Sequence, residues 1–200
     1  MAIPAIRHMT DADSAPQVDV WCPRVWASVL EMAELSASII PFRRTRALWR
    51  TAAAVRRRRY DQAVLLTPSF STAAVVWLAG VPERVGTPTD GRSVLLTRRT
   101  RASEAPGEHR TSFYRRIVDP ERTGADPVPP PRIRAPKVAR DQALSLIGGR
   151  LKRPVVGIVP GSKAPARRWP EGRFTALAGM LARDGATVLA FGGPEEQVLA

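Results

Sequence analysis

Pro160-Gly-Ser-Lys-Ala-Pro-Ala-Arg-Arg-Trp-Pro170 stands between an apolar run and an amphipathic one. Upstream, Val155-Val-Gly-Ile-Val159 is short, rich in β-branched residues and bounded by prolines, the pattern of a strand buried on both faces. Downstream, Pro170 suits a first helical turn, and Phe174, Leu177, Ala178 and Leu181 recur at helical spacing until Gly185 stops the helix. A strand, a loop and a helix in that order form the unit of an open parallel α/β sheet, which takes its ligands beyond the carboxyl ends of its strands. Backbone N–H groups at the helix start face the loop. Ser162, Lys163, Arg167 and Arg168 add a hydroxyl and three cations, a set that holds a diphosphate without a metal. On local chemistry alone a solvated basic turn is the alternative.

The same alternation runs through the rest of the chain. Residues 18–22 read as a strand, 23–32 as a helix, 36–40 as a short strand and 45–60 as an arginine-rich helix. Residues 61–66 read as a buried strand and 69–79 as a helix of small residues that packs closely on a sheet; 80–89 is a turn-rich return. A helix is expected over 109–118. Pro127, Pro129, Pro130 and Pro131 mark the approach to a linker, and a short helix over 137–148 precedes a second domain opening near Arg153. The boundaries that follow are a polar tail over 1–16, a first domain over 17–119, a linker region over 120–152 and the start of another domain over 153–200.

Two hundred residues with 44% hydrophobic content bury one core of ordinary size, or one domain and part of a second. The single cysteine, Cys22, excludes an internal disulfide framework and reads as a small core residue. No apolar run reaches the length of a membrane span, and the first residues carry no signal-like core, so a cytoplasmic location is the expectation. The net charge of +13 is almost all arginine, whose planar fork suits phosphate oxygens. Arg43, Arg44, Arg46, Arg50, Arg56, Arg57, Arg58 and Arg59 cluster along the 45–60 helix and the two residues before it. Two readings stand: a solvated face, or contact with a phosphorylated saccharide or an anionic membrane surface. No motif of specific nucleic-acid recognition is present.

Two blocks carry a family resemblance. Gly157-Ile-Val-Pro-Gly-Ser162, Arg167-Arg-Trp-Pro170, Arg173-Phe174 and Val188-Leu-Ala-Phe-Gly-Gly-Pro-Glu-Glu196 resemble the start of the carboxyl-terminal domain of glycosyltransferase family nine, the ADP-heptose:lipopolysaccharide heptosyltransferases. Tyr60-Asp-Gln-Ala-Val-Leu-Leu66, Pro68-Ser69 and Leu78-Ala-Gly-Val-Pro-Glu-Arg-Val-Gly86 resemble a strand, helix and turn of that family's acceptor-side domain. The blocks occur in the family's order, with weaker similarity from Val18 through most of the chain. The resemblance implies an α/β fold of the GT-B type, with a Rossmann-like acceptor-side domain lacking its first strand and the beginning of a second, donor-binding one. It implies metal-independent, inverting transfer of heptose from ADP-heptose to the lipopolysaccharide inner core, with no cofactor. An Asp base would deprotonate the acceptor hydroxyl, and cations would stabilise the departing ADP.

Carried over by motif, Ser162, Lys163, Arg167 and Arg168 are the donor-diphosphate candidates, Arg167 standing where the family has a Lys before the Trp-Pro pair. Ser69, Arg84 and Arg92 are the acceptor-side candidates. The family's Gly-Asp pair, which supplies the base, has no counterpart, and its Asp-Ser-Gly-x-x-His motif would fall after Ala200. The catalytic residue is therefore unknown, and these 200 residues alone are expected to be inactive. The implied partners are a sugar nucleotide and a lipopolysaccharide-core or other phosphorylated glycan acceptor. Peripheral contact with the anionic inner face of the inner membrane is expected. A non-catalytic basic α/β protein that binds phosphorylated glycan or anionic membrane is the alternative.

Other signals lead less far. Asp11-Ala-Asp13 has the Asp-x-Asp form of metal-dependent transferases but no preceding strand to aim it, so no metal site is assigned. His8 and His109 have no Cys or acidic partner at zinc-ligand spacing. Trp169, inside the basic loop, reads as a structural anchor.

Overall fold

The computed structural model describes residues 2–11, 16–43, 47–100, 109–120, 129–148, 151–162 and 164–193. It divides into two compact units, Met1–Arg134 and Ala135–Ala200.

The first unit opens with a helix, α1 (Ile3–Thr10), where the sequence reads as a polar tail. The correction has a simple cause: Pro4 fits the first turn, and Ile3, Ile6 and Thr10, at spacings of three and four, make one buried stripe. Strand β1 (Asp19–Pro23) is followed by a 3-10 turn, α2 (Ala27–Glu31) and β2 (Ser38–Phe42). β1 and β2 pair in parallel from Asp19 opposite Ser38 to Pro23 opposite Phe42. Next come α3 (Leu48–Arg57), β3 (Gln62–Leu65), α4 (Phe70–Leu78), β4 (Glu83–Gly86), a 3-10 turn over Arg92–Leu95 and β5 (Arg98–Arg99). β3, β4 and β5 form a parallel sheet in that order. β4 falls within the turn-rich return over 80–89, and β5 where the sequence reading assigns no element. They are too short to display alternation, and Pro82 and Gly86 disguise β4 as a turn. Helix α5 (Arg110–Val118) packs on α1, and Phe113 and Ile117 are buried.

One core cluster joins α3, α4 and this sheet: Ala52, Val55, Leu65, Ala73, Val76, Ala79, Val81 and Leu96, flanked by Trp21 and Tyr60. Alanines at 73 and 79 let α4 lie close to the strands. A polar knot ties β1 to the chain entering β3. Trp21 Nε1 donates to Tyr60 Oη at 2.8 Å, Tyr60 Oη donates to Asp19 Oδ2 at 2.5 Å, and Arg58 adds an ion pair to the same oxygen at 3.1 Å. Burial, and then the bond to Asp19, push the Tyr60 hydroxyl up to about 12. Cys22 is buried and its thiol is pushed up by that burial, in keeping with a packing role.

The second unit holds α6 (Lys137–Leu146), β6 (Val155–Ile158), a 3-10 turn over Pro165–Arg167, α7 (Glu171–Arg183) and β7 (Thr187–Ala190). β6 and β7 are parallel, Val155 opposite Thr187 and Ile158 opposite Ala190. The strand, loop and helix expected around Pro160 are present, but β6 is not buried on both faces: its residues alternate exposed and half-buried, and among the described residues it pairs only with β7.

Candidate functional site

β3 and β4 run out at their carboxyl ends into the loops 66–69 and 87–91, and Arg92 ties the two together. Its side chain is completely buried. Nε donates to the Thr87 carbonyl at 2.9 Å and Nη2 to Thr87 Oγ1 at 3.0 Å. Nη1 donates to the carbonyl of Thr67 at 2.5 Å and to that of Ser69 at 3.3 Å. Burial lowers the guanidinium's pKa, and nearby Asp90 opposes the effect. Gly86 makes room for the arrangement: a Cβ there would stand 3.2 Å from Leu65 Cβ and 3.3 Å from Arg92 Nη2.

Around this brace lies a shelf of hydroxyls. Ser69 and Ser71 are 2.6 Å apart at Oγ, Thr67 Oγ1 donates to Thr72 Oγ1 at 3.2 Å, and the Thr87 and Thr89 hydroxyls are 3.3 Å apart. Ser69 stands at the N-cap position of α4 yet makes no side-chain cap. Asp90 does so instead, accepting from the Phe70 amide at 2.9 Å. Asp90 and Gly91 reach that position through left-handed backbone, φ 55° and 69°. The Asp-Gly turn pair was the signal in the sequence for this loop, and Asp90, Thr67, Thr87 and Thr89 are the residues that sequence reasoning missed.

Of the acceptor-side candidates, the structure brings Ser69 and Arg92 together and leaves Arg84 apart. Arg84 sits near the start of β4, with its guanidinium turned to the carbonyls of Leu95 at 2.7 Å, Val81 at 2.5 Å and Pro82 at 3.1 Å.

In the second unit the basic loop leaves the carboxyl end of β6 and closes on itself before α7. Ser162 Oγ accepts from the Ala164 amide at 3.3 Å, and Arg168 Nε donates to the Ser162 carbonyl at 2.7 Å. The Trp169 ring meets Phe174 of α7 edge-on at 5.1 Å, which makes it the loop's anchor, and Pro170 precedes the first helical residue. Arg167, Arg168 and Arg173 are exposed. Lys163 lies outside the described residues. The arrangement presents two guanidinium groups at a strand-to-helix turn, a suitable charge for a diphosphate. Asp11, of the Asp-x-Asp, ends α1 and pairs with Arg7 at 3.5 Å; Asp13 lies outside the described residues.

Comparison with known proteins agrees with this architecture. The family model described as glycosyltransferase family 9 (heptosyltransferase) matches residues 48–200. Lipopolysaccharide heptosyltransferase 2 of Escherichia coli K12 is 30% identical over 149 residues, 71% of this chain and 43% of that protein. Lipooligosaccharide heptosyltransferase 2 of Haemophilus ducreyi is 26% identical over 152 residues, 72% of this chain and 44% of that one. The chain thus spans under half the length of these relatives. Among solved structures, ADP-heptose lipopolysaccharide heptosyltransferase II of E. coli superposes with a TM-score of 0.81 at 23% identity, over 99% of this chain and 62% of that one. The parallel α/β organisation is that of the GT-B heptosyltransferases, and in sequence the chain belongs to glycosyltransferase family 9, the heptosyltransferase family.

Proposed function

We propose that this chain serves heptosyl transfer from ADP-heptose to the inner core of lipopolysaccharide, on the cytoplasmic side of the membrane and without a metal. The observation that carries the reading is the basic turn at the carboxyl end of β6. Exposed Arg167 and Arg168 precede the anchored Trp169 just before α7, in a chain whose family is glycosyltransferase family 9. Ser162, Lys163, Arg167 and Arg168 hold the donor diphosphate. Cations here neutralise the charge that grows on the leaving β-phosphate as the bond to the anomeric carbon breaks, which is electrostatic stabilisation of a leaving group. The acceptor hydroxyl attacks that carbon from the opposite face, so its configuration inverts, and the hydroxyl proton passes to a base.

On the acceptor side, Ser69 and the hydroxyls of Thr67, Thr72 and Thr89 offer donors and acceptors to a saccharide, while buried Thr87 is held by Arg92. Arg92 acts through them: it touches no ligand and fixes the two loops that carry them. Arg84 is too engaged with backbone carbonyls at the other end of its strand to share this shelf.

Calorimetric titration with ADP-heptose, and with ADP as the control, tests the donor site. Binding that Arg167→Ala removes supports it; no heat from a chain shown by circular dichroism to be folded overturns it.

A further inference from the structure

α3 and α4 pack side by side and turn their buried residues, Ala52 and Val55 from one and Ala73 and Val76 from the other, into the same core cluster. Among the described residues both helices keep exposed side chains on the sides turned away from this cluster, and these sides share an unusual composition. On α3, Trp49, Arg50, Ala53, Arg56 and Arg57 are all exposed, and the run continues through exposed Arg58 and Arg59. Trp49 is 65% exposed, with the Arg50 guanidinium 5.2 Å above its ring. On α4, Phe70 and Trp77 lie seven residues apart on one stripe, 47% and 51% exposed, with Leu78 beside them at 47%. Neither helix contains an acidic residue. Between Glu34 and Glu83 the sequence has eight arginines and one acid, Asp61. Among the described residues, Asp61 follows the arginine-rich end in sequence and is exposed, the Asp19 carboxylate already pairs with Arg58, and Glu83 pairs with Arg98 at 3.1 Å.

The helix dipole accounts for arginines at the end of α3. It gives no reason for three aromatic rings and a leucine in water. Cations interleaved with aromatic and aliphatic side chains, on two helices lying side by side, fit the boundary of a bilayer. There the rings sit at headgroup level while guanidinium groups meet lipid phosphates. A second copy of this chain is a poor occupant, since two faces of the same strong positive charge would meet.

We propose that the outer face of α3 and α4 docks the protein on an anionic lipid surface, with Trp49, Phe70, Trp77 and Leu78 inserted at the interface and Arg50, Arg56, Arg57 and Arg59 on phosphate groups. Docked this way, both helix axes lie along the bilayer plane. The strands, antiparallel to the helices that connect them, also run along it. The hydroxyl shelf at their carboxyl ends then opens sideways, close to the lipid surface. The proposal goes beyond sugar transfer and does not depend on it.

Flotation of the 200-residue chain with phosphatidylcholine vesicles, with and without phosphatidylglycerol, tests it. Binding is expected only with the anionic lipid, and to fade as salt shortens the screening length from about 8 Å to about 3 Å. Replacing Arg56, Arg57 and Arg59 together by Gln is expected to lower partitioning about a hundred-fold, roughly five-fold per charge. Trp77→Ser is expected to lower it several-fold with no change in charge. Arg24, Arg132 and Arg134, exposed on other segments of the first unit, replaced together by Gln remove the same charge and leave binding nearly intact. Equal losses from the two triple variants would show that net charge alone is responsible and would overturn the proposal. So would undiminished binding by Trp77→Ser, or a single-stranded oligonucleotide that binds more tightly than the vesicles. Salt dependence of the unaltered chain provides a measurement free of any effect of substitution on folding.

Discussion

Replacing Arg92 by Met keeps much of the side-chain volume and removes the four hydrogen bonds that this side chain makes to the loops after β3 and β4. Two of the bonds lost are fully buried, those to the carbonyl and the hydroxyl of Thr87. Bonds to a charged group contribute about 1.5–3 kcal/mol each, so this pair accounts for roughly 3–6 kcal/mol. The bonds to Thr67 and Ser69 are partly exposed, and water replaces much of what they supply. Against these losses the variant no longer buries a charge, which returns part of the total. The net expectation is a loss of about 3–4 kcal/mol. With a urea slope of about 2 kcal/mol per molar, the unfolding midpoint of the first unit drops by between about 1.5 and 2 M. Arg92→Lys, which keeps the charge but reaches only one of the loops, falls between the two. Far-ultraviolet circular dichroism against urea measures the loss. Amide exchange in 67–72 and 87–92, compared with α1 and α5, shows whether it is local. A loss below about 1 kcal/mol for Arg92→Met would refute the argument that this side chain braces the loops.

Tyr60→Phe leaves the buried Asp19 carboxylate without its short partner and is expected to cost about 1–3 kcal/mol in the same urea assay. The Tyr60 pKa is raised in the fold to about 12, so its contribution is complete below the unfolded value near 10 and is lost as pH climbs through 12. Stability should therefore fall between about pH 10 and 12 in the parent and fall less in Tyr60→Phe. Ultraviolet titration should show one of the two tyrosines ionising near 12, and the variant should lack it. Gly86→Ala drives a methyl group against Leu65 and Arg92, with an expected cost of about 1–3 kcal/mol and partial release of the 87–91 loop. Asp90→Ala uncaps α4, at about 1 kcal/mol, and should speed exchange of the Phe70 amide first.

The fold was legible wherever periodicity extends over a full turn or a full strand. Val155 to Val159, the 171–183 helix with Phe174, Leu177 and Leu181, and the small-residue helix α4 each announce themselves locally, and the quoted motifs place them in a family. α1 was hidden because its buried stripe is only three residues wide and shares its segment with Arg7, His8 and Asp11. β5 consists of two arginines, Arg98 and Arg99, and nothing in two exposed charges marks a strand; its position is set by pairing with Val85 and Gly86. The candidate site was legible as a set of residue types and less so as an arrangement. An arginine near a binding loop reads as a ligand contact, yet Arg92 is inside the protein because three backbone carbonyls from two loops need a donor there. That requirement exists only once β3 and β4 are side by side. Arg84 shares the residue type and the neighbourhood in sequence, and its strand position turns it toward the other end.

The cap on α4 bears on what the hydroxyl shelf can recognise. The start of a helix in an α/β sheet is the usual place for a phosphate or carboxylate, since its amides carry partial positive charge. At α4 the Asp90 carboxylate supplies that negative charge from within, and its own charge faces anything that approaches. A ligand reaching this shelf meets hydroxyls and a resident acid, so neutral hydroxyl groups are welcome there, and negatively charged substituents have to point elsewhere.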